Sequence, residues 1–321
     1  MSLNALLANH EDVTNDLIPD YIKHAPESVR RRLRALKKLQ LKTVEIQADF
    51  YKKVHELETE FRSKFDAVNV QREKIVSGDY EPAENELDDK LFTWMEPEHV
   101  QKFNEDIPAG DGKSVNGVPD FWLNTLKNVP GVGDQIAEHD EAILKYLTDI
   151  TVEQQNEPPV FTLKFHFAEN PYFVNQTLTK FYRLSIGPNE FEVKHLYDGP
   201  SIVETKGCEI NWKEGKNVTE KTIKKKAKKG ANAGKSTTKV VPNDSFFNFF
   251  KPEATQVEKE MPDEVAEMLN ADFEAGQLIR DTVIDGAILY YTGESAEDED
   301  FDFGGIEDED GLGDSDEENE E

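Results

Sequence analysis

The chain has 321 residues, enough for about two average domains, and its 37 basic against 66 acidic residues give a formal net charge of −29. Such a charge repels phosphate, so direct DNA binding is not expected and a cationic partner is favoured. The single cysteine, Cys208, excludes an internal disulfide framework and a zinc site built on several thiolates. No apolar run is long enough for a membrane span, and no signal peptide is recognisable. We therefore expect a soluble intracellular protein.

A long helix is predicted over residues 26–76, after a flexible N-terminal tail over residues 1–25. Pro26 suits the helix start, and neither proline nor glycine recurs before Gly78. Apolar residues follow at spacings of three and four, and about 50 residues give a rod of roughly 75 Å. Such a rod is too long to be covered by its own chain, which predicts a coiled-coil homodimer. The alternative is one helix lying across its own domain. The predicted dimerisation residues are Val29, Leu33, Leu36, Val44, Phe50, Val54, Leu57 and Phe61.

An α+β domain is predicted over residues 119–293, after an accessory or linker region over residues 77–118. Residues 119–128 and 134–150 have helical patterns, whereas residues 160–212 show a period of two, typical of antiparallel strands. The stretch through CEINW is assigned to the strands. The two lysine-rich segments around KKGANAG form a predicted hairpin, and a helical segment from about Pro262 to Tyr291 closes the domain. Helix, strands and helix in this order favour an antiparallel sheet with helices on one face.

The sequence contains no complete catalytic or metal-binding motif that we recognise. We therefore expect no enzymatic activity, no metal and no cofactor. The Gly234-Lys235-Ser236 triplet lacks the glycine that a phosphate-binding loop needs five residues earlier, and a strand rather than a helix follows it. The seven histidines show no paired metal spacing. No serine, histidine and aspartate constellation is recognisable.

A local reversal of charge marks residues 221–239, which contain eight lysines and no acid. One interpretation is a nuclear import signal for an acidic import receptor, and the alternative is a solvated hairpin whose lysines protect an edge strand. The import interpretation uses Lys224, Lys225, Lys226, Lys228 and Lys229.

A second possible transport signal lies on the long helix, in the leucine-rich spacing of Leu33, Leu36, Leu39 and Leu41. The same leucines fit the helix stripe, and the packing role is the simpler interpretation.

The C-terminal residues 294–321 contain 16 acidic residues and no basic one, and we expect them to be disordered in isolation. Phe301, Phe303, Ile306 and Leu312 interrupt the acid, so the tail could contact a basic partner through charge and apolar docking. A tail that only confers solubility is the alternative.

Six segments in order resemble the nucleosome assembly protein family of histone chaperones between about Val29 and Glu294. The segments are PDFWLNTLKN, AEHDEAILKYLTDI, FTLKFHFAENPYFVNQTLTKFY, GCEINWKEGKNVTEKTIKKK, VPNDSFFNFF and LYYTGE. The resemblance implies a helix paired with its twin and an α+β domain at each end of the rod. It also implies a protein that binds core histones, preferably the histone 2A–2B heterodimer, and shields them from DNA. Such a protein shuttles between cytoplasm and nucleus and supports nucleosome assembly and histone nuclear import without ATP. Linker histone is a further basic candidate, because tail electrostatics discriminates poorly.

The resemblance also implies a histone-binding surface. Asp134 and Glu138, four residues apart and expected on one helix face, match a stretch that carries acid in the family, and Asp244 matches another acidic position. The tail adds Glu297, Asp298, Glu299, Asp300, Phe301, Asp302 and Phe303. The competing function is a regulatory inhibitor or adaptor, such as a phosphatase inhibitor of the related SET-like branch, although that branch usually lacks the lysine-rich hairpin.

Overall fold

The structure, a computed structural model, describes residues 18–87, 99, 102, 115–188, 196–226, 236–252, 255–256 and 261–296. Predictions for residues 1–17, for most of the accessory region, for Lys228 and Lys229 and for the tail from Glu297 lie outside these residues. Residues 18–25, which we assigned to the flexible tail, instead contain a short helix, α1 (Asp20–Lys23), and Ala25 is buried.

The predicted long helix is α2, Glu27–Ser77, with Pro26 at its N-cap. Its 51 residues give a length of about 75 Å. Gly78 ends the helix in the left-handed conformation, with φ of 78°, which a side chain would disfavour. The Asn116 side chain donates to the Ser77 carbonyl at 2.8 Å and so holds the returning chain against this end.

The sheet of the α+β domain is antiparallel, with strand order β1-β2-β3-β4-β7. The first three strands run in sequence as adjacent hairpins, and buried and half-buried residues alternate without exception along β3. This alternation confirms the predicted period of two. The strands are β1 (Leu147–Gln155), β2 (Val160–Phe167), β3 (Thr177–Ser185), β4 (Ser201–Lys206) and β7 (Thr255–Gln256).

The predicted lysine-rich hairpin is also present, as a separate two-stranded sheet. Its strands are β5 (Glu220–Lys226) and β6 (Ser236–Pro242), paired from Glu220 opposite Pro242 to Lys226 opposite Ser236. Directly after the hairpin, residues Phe246–Phe250 form a 3-10 helix that buries all four of its phenylalanines.

Helices α3 (Phe121–Lys127), α4 (Glu138–Leu144), α5 (Asp263–Leu278) and α6 (Ala287–Thr292) complete the domain. Their apolar residues join the sheet and the 3-10 helix in one core rich in aromatic rings, which includes Trp122, Phe165 and Tyr182. The predicted fold class, a long helix with an antiparallel sheet and helices, is confirmed.

Three local predictions were wrong. The helix predicted over residues 134–150 spans only Glu138–Leu144, because the residues that follow enter β1 and bury Leu147, Ile150 and Val152 in the core. CEINW is not a strand apart from one isolated bridge of Trp212 to Phe173; the strand lies earlier, at β4. The last helical segment is interrupted by a π-helix at Ile279–Val283 and a turn before α6.

Candidate functional site

The acidic surface predicted for a basic partner is organised around a buried carboxylate, that of Asp140. Its side chain is 0% exposed and accepts hydrogen bonds from the Ala137 amide at 3.0 Å, the Ser245 hydroxyl at 2.6 Å and the Phe246 amide at 2.8 Å. The first bond closes the N-terminus of α4, and the other two hold the segment before the Phe246–Phe250 helix. Asp140 therefore binds two elements that are about 105 residues apart in sequence.

One further contact joins the same elements, and two more hold the segment that follows the hairpin. The Asn243 side chain lies 3.3 Å from the His139 ring nitrogen and donates to the Val218 carbonyl at 3.0 Å. The Asn248 side chain donates to the Asn243 carbonyl at 2.9 Å. Glu138 and Asp244, which flank these contacts in sequence, are both exposed. The structure thus places two of the three predicted acidic residues on adjoining elements with their carboxylates open to solvent.

Asp134 lies outside the helix that carries Glu138. It is part of a 3-10 turn, Gly133–Gln135, and the backbone at Ile136 is extended before α4 begins. Our expectation that Asp134 and Glu138 share one helix face was therefore wrong, since the intervening turn breaks the helical period. Asp134 is nevertheless exposed on the element next to α4.

The long helix contacts its own domain through polar side chains. Arg62 donates two hydrogen bonds to Asp285, at 3.1 and 2.6 Å, and Asn69 donates to the same carboxylate at 2.8 Å. The His55 ring nitrogen lies 2.9 Å from the Gln155 carbonyl. These helix residues recur every seven positions, so they form one buried stripe.

Farther along α2, Arg72 forms an ion pair with Asp149 at 3.4 Å and also donates to the Ile284 carbonyl. The Arg72 guanidinium stacks 4.9 Å from the ring centroid of Trp122. Burial raises the pKa of Asp149 to about 6, while Arg72 opposes that shift. The contact is thus one of the most desolvated charged sites among the described residues.

Several large apolar side chains of α2 lie on another face and are exposed in the single chain. Phe50 is 60% exposed and Leu57 is 56% exposed, and Leu36 and Phe61 are exposed as well. Val29, Leu33 and Val54 are half-buried. Val44 does not fit the predicted dimerisation surface, because it is 3% exposed and packs within its own chain.

The residues of the predicted transport signals are partly described. Leu36 and Leu39 are exposed on α2, whereas Leu33 and Leu41 are half-buried. Lys224, Lys225 and Lys226 lie on strand β5. Lys228, Lys229 and the seven acidic and aromatic tail residues from Glu297 to Phe303 lie outside the described residues.

Within the described part of the chain, no three histidine, cysteine or acidic side chains are grouped as metal ligands. No helix in that part is long and apolar enough to cross a bilayer. His166 lies between two threonine hydroxyls, 2.8 Å from Thr151 and 3.3 Å from Thr177, and burial lowers its pKa. These groups are arranged to hold the fold.

Sequence reasoning missed Asp140, Asp149 and Asp285, the three acids that organise the site and the helix contact. A signal existed only for Asp140, which occupies the third position of a helix, where acid side chains cap the amino terminus. Asp149 and Asp285 look like ordinary surface acids in sequence. Only their distant partners on α2 distinguish them.

A rod-like helix with an open apolar face, attached to an α+β domain with exposed acidic side chains, favours a binding protein for cationic partners. Comparison with known proteins identifies which kind. The family profile described as "Nucleosome assembly protein (NAP)" matches residues 31–294. Nucleosome assembly protein 1-like 1 of Xenopus tropicalis is 41% identical over 311 residues, which cover 93% of this chain and 78% of that protein.

The human protein of the same name is 41% identical over 295 residues, covering 88% of this chain and 74% of its own length. Among solved structures, Nucleosome Assembly Protein 1 from Plasmodium knowlesi aligns with a TM-score of 0.50 at 24% identity, covering 84% of this chain and 98% of that one. That likeness supports the fold. The chain belongs to the nucleosome assembly protein family, a family of histone chaperones, as the six sequence segments predicted.

Proposed function

We propose that the protein is a dimeric, non-catalytic histone chaperone that binds core histones, preferably the histone 2A–2B heterodimer. It shields them from non-specific DNA contacts and supports nucleosome assembly and histone nuclear import without ATP. The observation that carries the proposal is the set of hydrogen bonds to the buried Asp140 carboxylate. These bonds hold together the adjoining elements that carry the exposed carboxylates of Glu138 and Asp244. Family membership supplies the class of partner.

The mechanism follows from competition between two polyanions. Histones bind DNA strongly and without much selectivity through phosphate contacts. A chaperone of intermediate affinity removes histones from non-specific sites, but the nucleosome, with its many minor-groove arginine contacts, remains the most stable product. Such a mechanism requires no covalent step and no nucleotide.

The proposed histone-binding residues are in two groups. Asp134, Glu138 and Asp244 provide charge on the folded domain, and residues 297–303 of the tail add charge with two aromatic anchors. Linker histone is a proposed secondary partner, because exposed charge selects poorly among basic proteins.

Transport between nucleus and cytoplasm is a separate part of the proposal. The import signal is the lysine cluster that begins on β5 at Lys224, with an import receptor as its partner. The export signal is the leucine series on α2, of which Leu36 and Leu39 are accessible in the single chain. Pairing of two α2 helices would cover part of this series.

The folded-domain surface is tested by titrating histone 2A–2B heterodimer against the variant Asp134→Asn, Glu138→Gln, Asp244→Asn. Each exposed charge contributes about 0.5–1 kcal/mol, so we expect roughly thirtyfold weaker binding at low salt. The matched control removes three other exposed acids, with Asp79→Asn, Glu169→Gln and Glu214→Gln. An equal loss of histone affinity in both variants would mean that binding depends only on net charge, which would contradict a local binding surface.

The tail is tested by truncation after Ala296 at several salt concentrations. Removal of 15 acidic residues should reduce the slope of log affinity against log salt concentration. A protein that fails to bind histones even in dilute buffer, with or without its tail, would refute the proposed function altogether.

A further inference from the structure

An open cleft separates the base of the lysine-rich hairpin from the Phe246–Phe250 helix. Its volume is about 650 Å³, and apolar side chains from both elements line it. Val240 on β6 is exposed at one wall, and the buried rings of Phe247 and Phe250 form part of the other. Ile210, Trp212 and Val241 complete the apolar lining.

The cleft lies within the most basic part of this acidic protein. Residues 206–251 contain 12 lysines, no arginine and four acidic residues, a net charge of +8 in a chain of −29. Lys251 and two acids, Glu209 and Glu220, line the cleft itself, and Lys206 lines a second pocket that shares Glu209 with it. The apolar lining favours an occupant with apolar side chains, and the lysines around the cleft favour one that also carries negative charge.

One segment of this chain has that chemistry. Residues 297–321 contain 15 acidic residues and no basic one, with large apolar side chains at Phe301, Phe303, Ile306 and Leu312. Reach does not limit docking: a domain of this size has a diameter of roughly 40 Å, whereas an extended chain from Ala296 to Leu312 spans about 54 Å. Because the tail belongs to the same chain, its effective concentration at the cleft is on the order of millimolar.

We propose that the cleft between the hairpin and the Phe246–Phe250 helix is the docking site of the acidic tail of the same chain. The apolar tail residues enter the cleft, and the tail carboxylates lie against the lysines around it. Docking neutralises the lysine-rich segment while no cationic partner is present. A basic protein that captures the tail would expose those lysines. This contact is independent of which basic protein the chain binds.

The test is zero-length carbodiimide cross-linking of the full-length protein, which joins lysine amines to carboxylates in direct contact, followed by mass spectrometry. Tail carboxylates should couple to Lys206, Lys221, Lys239 and Lys251 at least fivefold more than to the exposed α2 lysines Lys37, Lys38 and Lys42. A matched variant, with Phe301, Phe303, Ile306 and Leu312 each replaced by serine, keeps every charge. It should lose this preference, because only the apolar anchors place the tail in the cleft.

Three results would overturn the proposal. Equal coupling in the serine variant would mean diffuse electrostatic attraction, and equal coupling to the α2 lysines would mean that no site exists. The third result is docking of the tail of another molecule, which a mixture of isotopically heavy and light protein detects. Cross-links between heavy and light chains would mean that the tail of a second copy occupies the cleft.

A spectroscopic readout supports the same experiment, since Trp212 lines the cleft. A synthetic peptide of residues 297–321, added to the protein truncated after Ala296, should shift the tryptophan emission saturably. The serine version of the peptide should shift it at least tenfold more weakly at equal concentration. No shift with either peptide would count against docking in this cleft.

Discussion

The two faces of the long helix reverse the usual arrangement of polar and apolar residues. The face turned toward its own domain is mainly polar, because three of the four buried residues of the helix are His55, Arg62 and Asn69 and only Val44 is apolar. Phe50 and Leu57 are exposed on another face. At 100° per residue the two faces lie roughly 120° apart around the helix. The stripe that we read as one in sequence is therefore two surfaces with different tasks.

The two faces have different roles in the assembly of the protein. Buried ion pairs contribute little net free energy, but they tolerate only one geometry, so the polar face sets where the helix lies on its domain. The apolar face repeats at sevens, with Phe61, Val68 and Ile75 as one series, and is suited to a second helix of the same kind. We propose that this second face forms the homodimer.

The largest expected effect is on the apolar face. The double substitution Leu57→Asp and Phe61→Asp should raise the dimer dissociation constant by roughly four orders of magnitude, since each lost side chain is counted twice in a symmetric dimer. Light scattering measures the mass. Lys38→Asp, on a third face of α2, is the control and should leave the dimer intact. A double variant that remained dimeric would place the dimer contact elsewhere.

The second-largest effect is expected on the polar face of α2, at its contact with Asp285. Asp285→Ala removes the acceptor of both Arg62 and Asn69 and leaves a guanidinium buried without its main partner. We expect a loss of about 3 kcal/mol in the free energy of unfolding, measured by denaturant titration at fixed protein concentration. The control is the exposed ion pair of Arg34 and Glu27. Arg34→Ala should change the free energy of unfolding by less than about 1 kcal/mol.

The pH dependence of stability tests the buried contact at Asp149, which faces Arg72 and, on the same helix as Arg72, Glu73. Its pKa of about 6 in the folded chain lies above the ordinary 3.8, so the folded state binds more protons than the unfolded state between these values. The stability of the native protein relative to Asp149→Asn should therefore fall by about 2–3 kcal/mol from pH 4 to pH 6.5, then level off. A difference that is flat or rises with pH would contradict the desolvation of this carboxylate.

The smallest effect is expected at His55. His55→Ala removes one hydrogen bond, to the Gln155 carbonyl, and should cost about 1 kcal/mol of stability. Denaturant titration measures it, with the exposed His24→Ala as the control. A loss as large as that for Asp285→Ala would mean that the contact acts as one cooperative unit rather than as separate pairs.

Much of the fold was predictable because it depends on local pattern. The absence of proline and glycine between Pro26 and Gly78 predicted α2, and alternation predicted β2, β3 and the hairpin. The wrong predictions occurred where a pattern is ambiguous over a few residues. At residues 145–150, the spacing of Tyr146, Leu147 and Ile150 fits a helix as well as a strand. Of the candidate site, Glu138 and Asp244 were predicted from resemblance, whereas their arrangement around Asp140 was not.

By itself, the sequence indicated the charge of the protein, its long helix and its α+β class, because composition and periodicity are local properties that need no partner. The family followed from the resemblance of six segments to known members. Only the tertiary structure decided which side of α2 belongs to its own domain and which acids are buried. Those choices depend on contacts such as Arg62 with Asp285, 223 residues apart. A buried polar residue is defined by the distant group that pairs with it, and that group is invisible in the local pattern.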